Sequence, residues 1–146
     1  MIRTPVCDLL GIEHPIAIGG MGSIYSPALT AAVSNAGGLG AMGCHNLSPK
    51  RIREGAAEIR AGTNKSFALN FLIFDTKEEC FAVALAERPP MMAFAWPRAD
   101  QDIKVYVDRA HDIGCKVTFM AGGVPEAVQA AEAGADVIVA QGTEGG

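Results

Sequence analysis

Short apolar segments of strand length alternate with helical patterns along this chain, and no other feature restricts its fold as strongly. The predicted strands are residues 15–18, 39–42, 67–72, 91–94, 116–120 and 136–140. Five helices are predicted. Three of them begin near residues 27, 49 and 76, and the other two span residues 102–113 and 125–133. About six strands and five helices in strict alternation are typical of a parallel α/β fold.

The predicted helices carry start and stop signals that support their placement. Ser26 and Ser48 are predicted N-caps, and Pro27 stands at the first helical position, where a missing N–H group costs nothing. The segment from Asp75 to Glu78 has the arrangement of a capping box. Gly37 follows the first of these helices, where a left-handed residue commonly ends a helix.

Similar sequences recur where helices lead into strands, in residues 35–39, 112–116 and 132–136. Such quasi-repeats favour a TIM (β/α)8 barrel, which is built from eight similar units. Residues 1–146 are therefore predicted to be the truncated, N-terminal part of a single barrel domain, about two units short of closure. An open doubly wound sheet is the alternative, because alternation alone does not distinguish the two folds.

The chain ends in a glycine-rich loop, residues 140–146, directly after its last predicted strand. In α/β proteins, ligands and chemistry lie beyond the carboxyl ends of the parallel strands. We therefore expect the sequence to be the front part of a larger enzyme domain, interrupted within its own active site. Activity is expected of the parent protein, and this chain alone is expected to be inactive.

Composition excludes several functional classes. The net charge is −4 and no Lys/Arg cluster is present, which argues against a nucleic-acid partner. The four cysteines are scattered without a C-x-x-C pair, so reduced cytoplasmic thiols are expected rather than disulfides or a metal site. No signal peptide and no run of about 20 apolar residues is present, so a soluble, cytoplasmic protein without a membrane segment is expected.

Three predicted strands end in glycine or in an amide side chain. Gly20, Met21 and Gly22 follow the first strand, where glycines let the backbone approach a flat ligand and methionine offers a polarizable surface. A tight turn with a core methionine is the alternative. Asn70 is polar within an apolar strand, so it contacts either a ligand or a neighbouring loop. Gln141 ends the last strand and is followed by Gly142, Gly145 and Gly146.

Other candidates carry weaker signals. Trp96 follows the fourth predicted strand and either restricts a substrate pocket or packs against Pro97. Gly122 and Gly123 precede a helix but lack the spacing of a phosphate-binding fingerprint. The three histidines are scattered, and no arrangement of a general acid or base is evident.

Residues 15–21, 31–40, 67–70 and 133–146 together resemble the nitronate monooxygenase family, formerly called 2-nitropropane dioxygenases, which includes flavin-dependent enoyl-ACP reductases. The resemblance implies an FMN-binding TIM barrel. It also implies that the cofactor contacts are Gly20, Met21, Gly22, Asn70, Gln141 and Gly146. The family's catalytic histidine is expected just beyond Gly146, so no catalytic residue is assigned within the chain.

The resemblance implies FMN-dependent oxidation of alkyl nitronates or nitroalkanes to carbonyl compounds and nitrite by O2. The alternatives are an FMN-dependent NAD(P)H enoyl-ACP reductase and a non-catalytic fragment of such an enzyme. Gly19 and Gly20 resemble the reductases, whereas Gln141 resembles the monooxygenases. Of these two activities, the monooxygenase is favoured. The expected partners are a small-molecule substrate and O2, and a homodimer is compatible with the family.

Overall fold

The computed structural model of the protein describes residues 2–22 and 24–143. Its helices are α1 Pro5–Leu10, α2 Pro27–Asn35, α3 Pro49–Gly62, α4 Glu78–Ala86, α5 Ile103–Asp112 and α6 Val124–Glu132, with a 3-10 helix at Ile73–Asp75. Its strands are β1 Gly40–Gly43, β2 Phe67–Leu72, β3 Met91–Ala95, β4 Lys116–Ala121 and β5 Val137–Ala140. Residues 144–146, including the predicted cofactor contact Gly146, lie outside the described residues.

The five strands form one parallel sheet in the order β1-β2-β3-β4-β5. Each strand pairs with the one that follows it in the chain, and helices α3 to α6 connect them in turn. A doubly wound sheet instead reverses its strand order at a switch point. The sequential order therefore rules out the doubly wound alternative for the described sheet and is that of a barrel wall.

The predicted first strand, residues 15–18, is reduced to a single parallel bridge between Ala17 and Leu39. Two backbone hydrogen bonds hold it beside β1, from Ile18 N to Leu39 O and from Leu39 N to Ile16 O. The segment starts at a proline, which lacks an N–H group, and runs directly into Gly19, so few ladder bonds can form. It nevertheless occupies the predicted position at the edge of the sheet.

The structure confirms two of the predicted helix start and stop signals. The Ser48 side chain accepts a hydrogen bond from Arg51 N and Gly37 has φ +91°, as expected for a cap and a helix stop.

The predicted capping box at residues 75–78 is wrong, because residues 73–75 form the 3-10 helix and α4 begins only at Glu78. Thr76 Oγ1 donates instead to Leu72 O, a local bond that competes with capping. Ser26 is the N-cap of α2, but its hydroxyl makes no capping bond.

The outer face of the sheet packs against the helices to form the larger apolar core. Phe81, Phe94 and Tyr106 are its aromatic centre, with ring centroids 5.3–6.0 Å apart. Large side chains therefore fill the space between sheet and helices.

A second, smaller core lies at the amino ends of the strands, on the inner face of the sheet. Cys7 and Leu10 of α1 pack there against residues from the first three strands or just before them, namely Leu39, Ala41, Ala68 and Met91. Helix α1 was not predicted from the sequence. It covers the amino end of the inner face.

Among residues 2–22 and 24–143, no helix combines the length and the apolar character needed to cross a bilayer.

Candidate functional site

The inner face of the sheet bounds a hollow of about 560 Å³. Alternate residues of a strand point to opposite faces, and here the inward positions are mostly small. The inward residues that line the hollow are Ala41, Ala68, Asn70, Leu72, Ala93, Ala95, Thr118, Met120, Val137 and Val139. Their small size leaves open the space that large side chains fill on the outer face.

The loop formed by residues 19–22 crosses the carboxyl ends of β1 and β2. A Cβ atom on Gly43, the last residue of β1, would lie 2.1 Å from the carbonyl oxygens of Gly20 and Gly22. A Cβ atom on Gly20 would lie 2.3 Å from Asn70 Oδ1. Glycine is thus required at both positions for the loop to rest on the strands.

Met21 lies at the turn of this loop with φ +47°, which is uncommon for a residue with a side chain. The left-handed backbone places Met21 on the wall of the hollow, and 42% of the residue remains exposed. The predicted alternative, a buried core methionine, does not describe this position.

Asn70 lies on the inward side of β2, opposite Ala93 of β3. Its Nδ2 atom donates to Ala93 O over 3.2 Å, which fixes the orientation of the amide because a carbonyl oxygen only accepts. Within the described residues, Asn70 Oδ1 receives no hydrogen bond. The amide therefore has one structural bond and presents one acceptor to the hollow beside Gly20.

Gln141 follows β5 and lies at the rim of the hollow. Its side chain does not line the hollow itself but accepts a hydrogen bond of 2.8 Å from Trp96 Nε1. Trp96 follows β3, lines the hollow, and has φ +55°. Its side chain reaches across the end of β4, which separates β3 from β5.

The structure therefore brings four of the predicted contacts together on one wall: Gly20, Met21, Gly22 and Asn70. Gln141 is linked to the same hollow through Trp96. Sequence reasoning missed that link, since the two residues are 45 positions apart and belong to non-adjacent strands. A tryptophan at a strand end was the only signal available.

The lining of the hollow, within the described residues, contains no Asp, Glu, His, Lys, Arg or Cys. His45 lies on the outer side of β1, with its Nδ1 atom 3.9 Å from Asp75 Oδ2. His111 lies 3.0 Å from Asp136 Oδ2, at the other end of the sheet. In the part of the chain that the structure describes, no three His, Cys, Asp or Glu side chains are grouped to hold a metal ion.

The glycine pair before α6 is occupied by the chain itself. Gly122 N donates to Glu126 Oε2 over 2.8 Å, so a carboxylate of α6 takes the position an anion would need. This arrangement favours the plain turn over an anion site at Gly122 and Gly123.

Several known proteins are similar to this chain in sequence. The sequence is 30% identical to a (3aS,4S,5R,7aS)-5-hydroxy-7a-methyl-1-oxo-octahydro-1H-indene-4-carboxyl-CoA dehydrogenase of Mycobacterium tuberculosis, over 99% of this chain and 40% of that protein. It is 29% identical to a nitronate monooxygenase of Paraburkholderia phytofirmans, over 99% of this chain and 49% of that protein. The chain thus spans half or less of the length of these relatives.

Solved structures show the same fold. FabK from Thermotoga maritima superposes with a TM-score of 0.89 at 34% identity, over 99% of this chain and 45% of FabK. A nitroalkane oxidase from Streptomyces ansochromogenes gives a TM-score of 0.80 at 22% identity, over 97% of this chain and 49% of that one. The described sheet and helices are part of a TIM (β/α)8 barrel, as predicted, and the chain covers about half of the length of these two structures.

The model of the nitronate monooxygenase family matches residues 3–87. This match begins before α1, ends just after α4, and includes both the 19–22 loop and Asn70. Since it covers more than half of the sequence, the chain belongs to the nitronate monooxygenase family.

Proposed function

We propose that this chain is part of an FMN-dependent enzyme that oxidises alkyl nitronates or nitroalkanes to carbonyl compounds and nitrite with O2. The observation that carries the proposal is the hollow at the carboxyl ends of the strands, where the 19–22 loop rests on Asn70. The family match supports it. We also propose a cytoplasmic location, which suits four buried, unpaired cysteines, and a homodimer is compatible with the family.

The lining of the hollow near its carboxyl end suits a flavin in its chemistry. Its walls are mostly apolar, and the polarizable thioether of Met21 lies at its mouth. The unpaired Asn70 Oδ1 offers an acceptor to a ligand N–H group.

We assign the flavin contacts accordingly. Gly20 and Gly22 would let the backbone approach the ring, Met21 would pack on it, and Asn70 would accept a hydrogen bond from it. Gln141 would bind at the rim, and Gly146 remains a proposed contact outside the described residues. Bound FMN would supply the redox chemistry of the reaction.

The described residues have a positioning role in the proposed reaction. The alanine-rich inner wall would surround the reacting atoms with an apolar surface and leave space for a small substrate. The lining within the described residues offers no Asp, Glu, His, Lys, Arg or Cys side chain to act as a general acid or base. Deprotonation of a neutral nitroalkane is therefore assigned to the histidine that the family resemblance implies beyond Gly146, a step typically worth about 10²–10⁴-fold in rate.

The second candidate function is an NAD(P)H-dependent enoyl-ACP reductase, which the 34% identity with FabK favours. Two steady-state assays on the complete protein separate the candidates. The monooxygenase consumes O2 and releases nitrite with ethylnitronate or propionate 3-nitronate. The reductase instead oxidises NAD(P)H in the presence of a crotonyl thioester. Turnover of the thioester alone would overturn the monooxygenase proposal.

The flavin site has its own test in Asn70→Ala. We expect the dissociation constant for FMN to rise about tenfold, since one hydrogen bond in a dry site is lost. Asn35→Ala is the matched control, because it also removes a bonded amide, one that joins α2 to the end of α3 away from the hollow. Equal FMN affinity in both variants would refute the role of Asn70. The purified protein should also show the two visible absorption bands of a flavin.

A further inference from the structure

We propose, building on the flavin site above, that Trp96 is a positioning residue that fixes the side-chain amide of Gln141. Held in this way, Gln141 keeps its Nε2 atom free to donate a hydrogen bond at the rim of the hollow. The ligand atom it meets must then be an acceptor, either a flavin carbonyl or ring nitrogen or an oxygen of the nitronate.

The chemistry of the two side chains determines this orientation. The indole N–H group of Trp96 can only donate, so the atom 2.8 Å away must be the oxygen of the Gln141 amide. Exchange of the amide oxygen and nitrogen would oppose two donors and lose the bond. The Gln141 Nε2 atom consequently faces away from the indole, and it donates to no acceptor in the described part of the chain.

Backbone hydrogen bonds hold both Trp96 and Gln141 in place. The carbonyl oxygen of Trp96 accepts a hydrogen bond of 3.0 Å from Phe74 N, which ties the residue to the segment after β2. Gln141 N donates to Ala121 O at the end of β4, also over 3.0 Å. The left-handed backbone of Trp96, φ +55°, is a conformation that persists in a non-glycine residue only where its surroundings hold it.

The amides of Asn70 and Gln141 have opposite polarity as a result. Asn70 uses its Nδ2 atom on Ala93 O and keeps its oxygen unpaired. Gln141 uses its oxygen on Trp96 and keeps its nitrogen unpaired.

The hydrogen bond can be observed without any ligand, through the indole ¹⁵N–H resonance of Trp96. In the complete protein this resonance is assigned by its loss in Trp96→Phe, and it should exchange with water slowly in the wild type. Gln141→Glu retains an acceptor and should keep the protection, whereas Gln141→Leu removes it. Fast indole exchange in the wild type would overturn the proposal.

FMN binding, followed by flavin fluorescence, then tests the consequence. Trp96→Phe keeps an aromatic ring but removes the N–H group, so we expect the FMN dissociation constant to rise about five- to tenfold. Gln141→Glu should weaken FMN binding at least as much, because it keeps the bond to Trp96 but loses the donor. In a Gln141→Leu background, Trp96→Phe should have no further effect.

The KM for ethylnitronate identifies whether the Gln141 amide donates to the flavin or to the substrate. If FMN affinity is unchanged in Trp96→Phe but the KM for ethylnitronate rises, the amide meets the substrate, and the positioning role stands. If Trp96→Phe changes neither the FMN affinity nor the KM for ethylnitronate, Trp96 is a packing residue and the proposal fails. The proposal also fails if the effects of Trp96→Phe and Gln141→Leu on FMN binding are additive. A protected indole in a protein that binds no FMN would instead contradict the proposed function.

Discussion

A Cβ atom on Gly20 would lie 2.3 Å from the side-chain oxygen of Asn70, closer than any real Cβ contact. The main chain of the 19–22 loop thus rests directly on the amide that faces the hollow. The acceptor of Asn70 is held between this loop and Ala93 of the neighbouring strand. The shape of the candidate site depends on the absence of a side chain at Gly20.

Gly20→Ala should therefore displace the Asn70 side chain. We expect the FMN dissociation constant to rise at least tenfold and the free energy of unfolding to fall by about 1–3 kcal/mol, the usual cost of overpacking. The control is Gly19→Ala, because a Cβ atom there meets nothing within 4 Å. FMN titration and urea unfolding of the two variants provide the comparison. Equal losses in both would mean that the contact with Asn70 is unimportant.

Much of the fold could be predicted because strands and helices differ in period and in their end residues. The parallel architecture and the helix that Ser48 caps follow from signals within a few residues of each other. Helix α1 carried no such signal, since it is short and is stabilised by contacts with Leu39, Ala68 and Met91. The single bridge at Ala17 likewise reflects its place at the sheet edge, which periodicity does not encode.

The candidate site was predictable to the extent that it depends on residue type. Glycines at positions 20 and 22 after a strand and an amide at position 70 within an apolar strand were the signals, and the structure brings these residues to one wall. The bond between Trp96 and Gln141 could not be foreseen, because it spans β4 and depends on the left-handed backbone of Trp96. Tertiary contacts of this kind leave no local pattern.

Gly43→Ala tests the other contact of the loop. The added Cβ atom would lie 2.1 Å from two backbone carbonyl oxygens, which cannot move aside as a flexible side chain can. We expect the free energy of unfolding to fall by about 1–3 kcal/mol, with loss of FMN binding as the loop lifts from β1. In Gly123→Ala the nearest atom is Pro125 Cδ at 3.8 Å, so this control should keep FMN binding and lose at most about 1 kcal/mol, because alanine is a poorer N-cap of α6. A stable, flavin-binding Gly43→Ala protein would show that the loop tolerates displacement.

The stability of the protein should depend on pH through Asp136. Burial raises the pKa of this carboxyl, but the hydrogen bonds from Val117 N and from His111 outweigh burial and hold the pKa below its ordinary value. A carboxyl with a lowered pKa in the folded state stabilises the fold above its unfolded pKa. That stabilisation is lost as the pH falls through the folded pKa, which here means below about pH 4.

Asp136→Asn should accordingly reduce the free energy of unfolding by about 1–2 kcal/mol at pH 7 and by less in acid. Asp108→Asn is the control, since its ion pair with Lys104 is exposed on α5 and contributes no more than about 0.5 kcal/mol. Urea unfolding at several pH values gives both numbers. A loss at Asp136 that does not change with pH would show that its charge is unimportant.

The four cysteine thiols should be nearly inert in the folded protein. All four are buried, and burial raises the pKa of Cys44, Cys80 and Cys115, that of Cys115 to about 11. At pH 8 a thiol with that pKa is ionised in about one molecule per thousand, and the thiolate is the reactive form. Ellman's reagent should therefore titrate four thiols in denaturant but react slowly with the native protein. Ala82→Cys, at an exposed helical position, should add one fast thiol, whereas a fast native thiol in the wild type would contradict the described core.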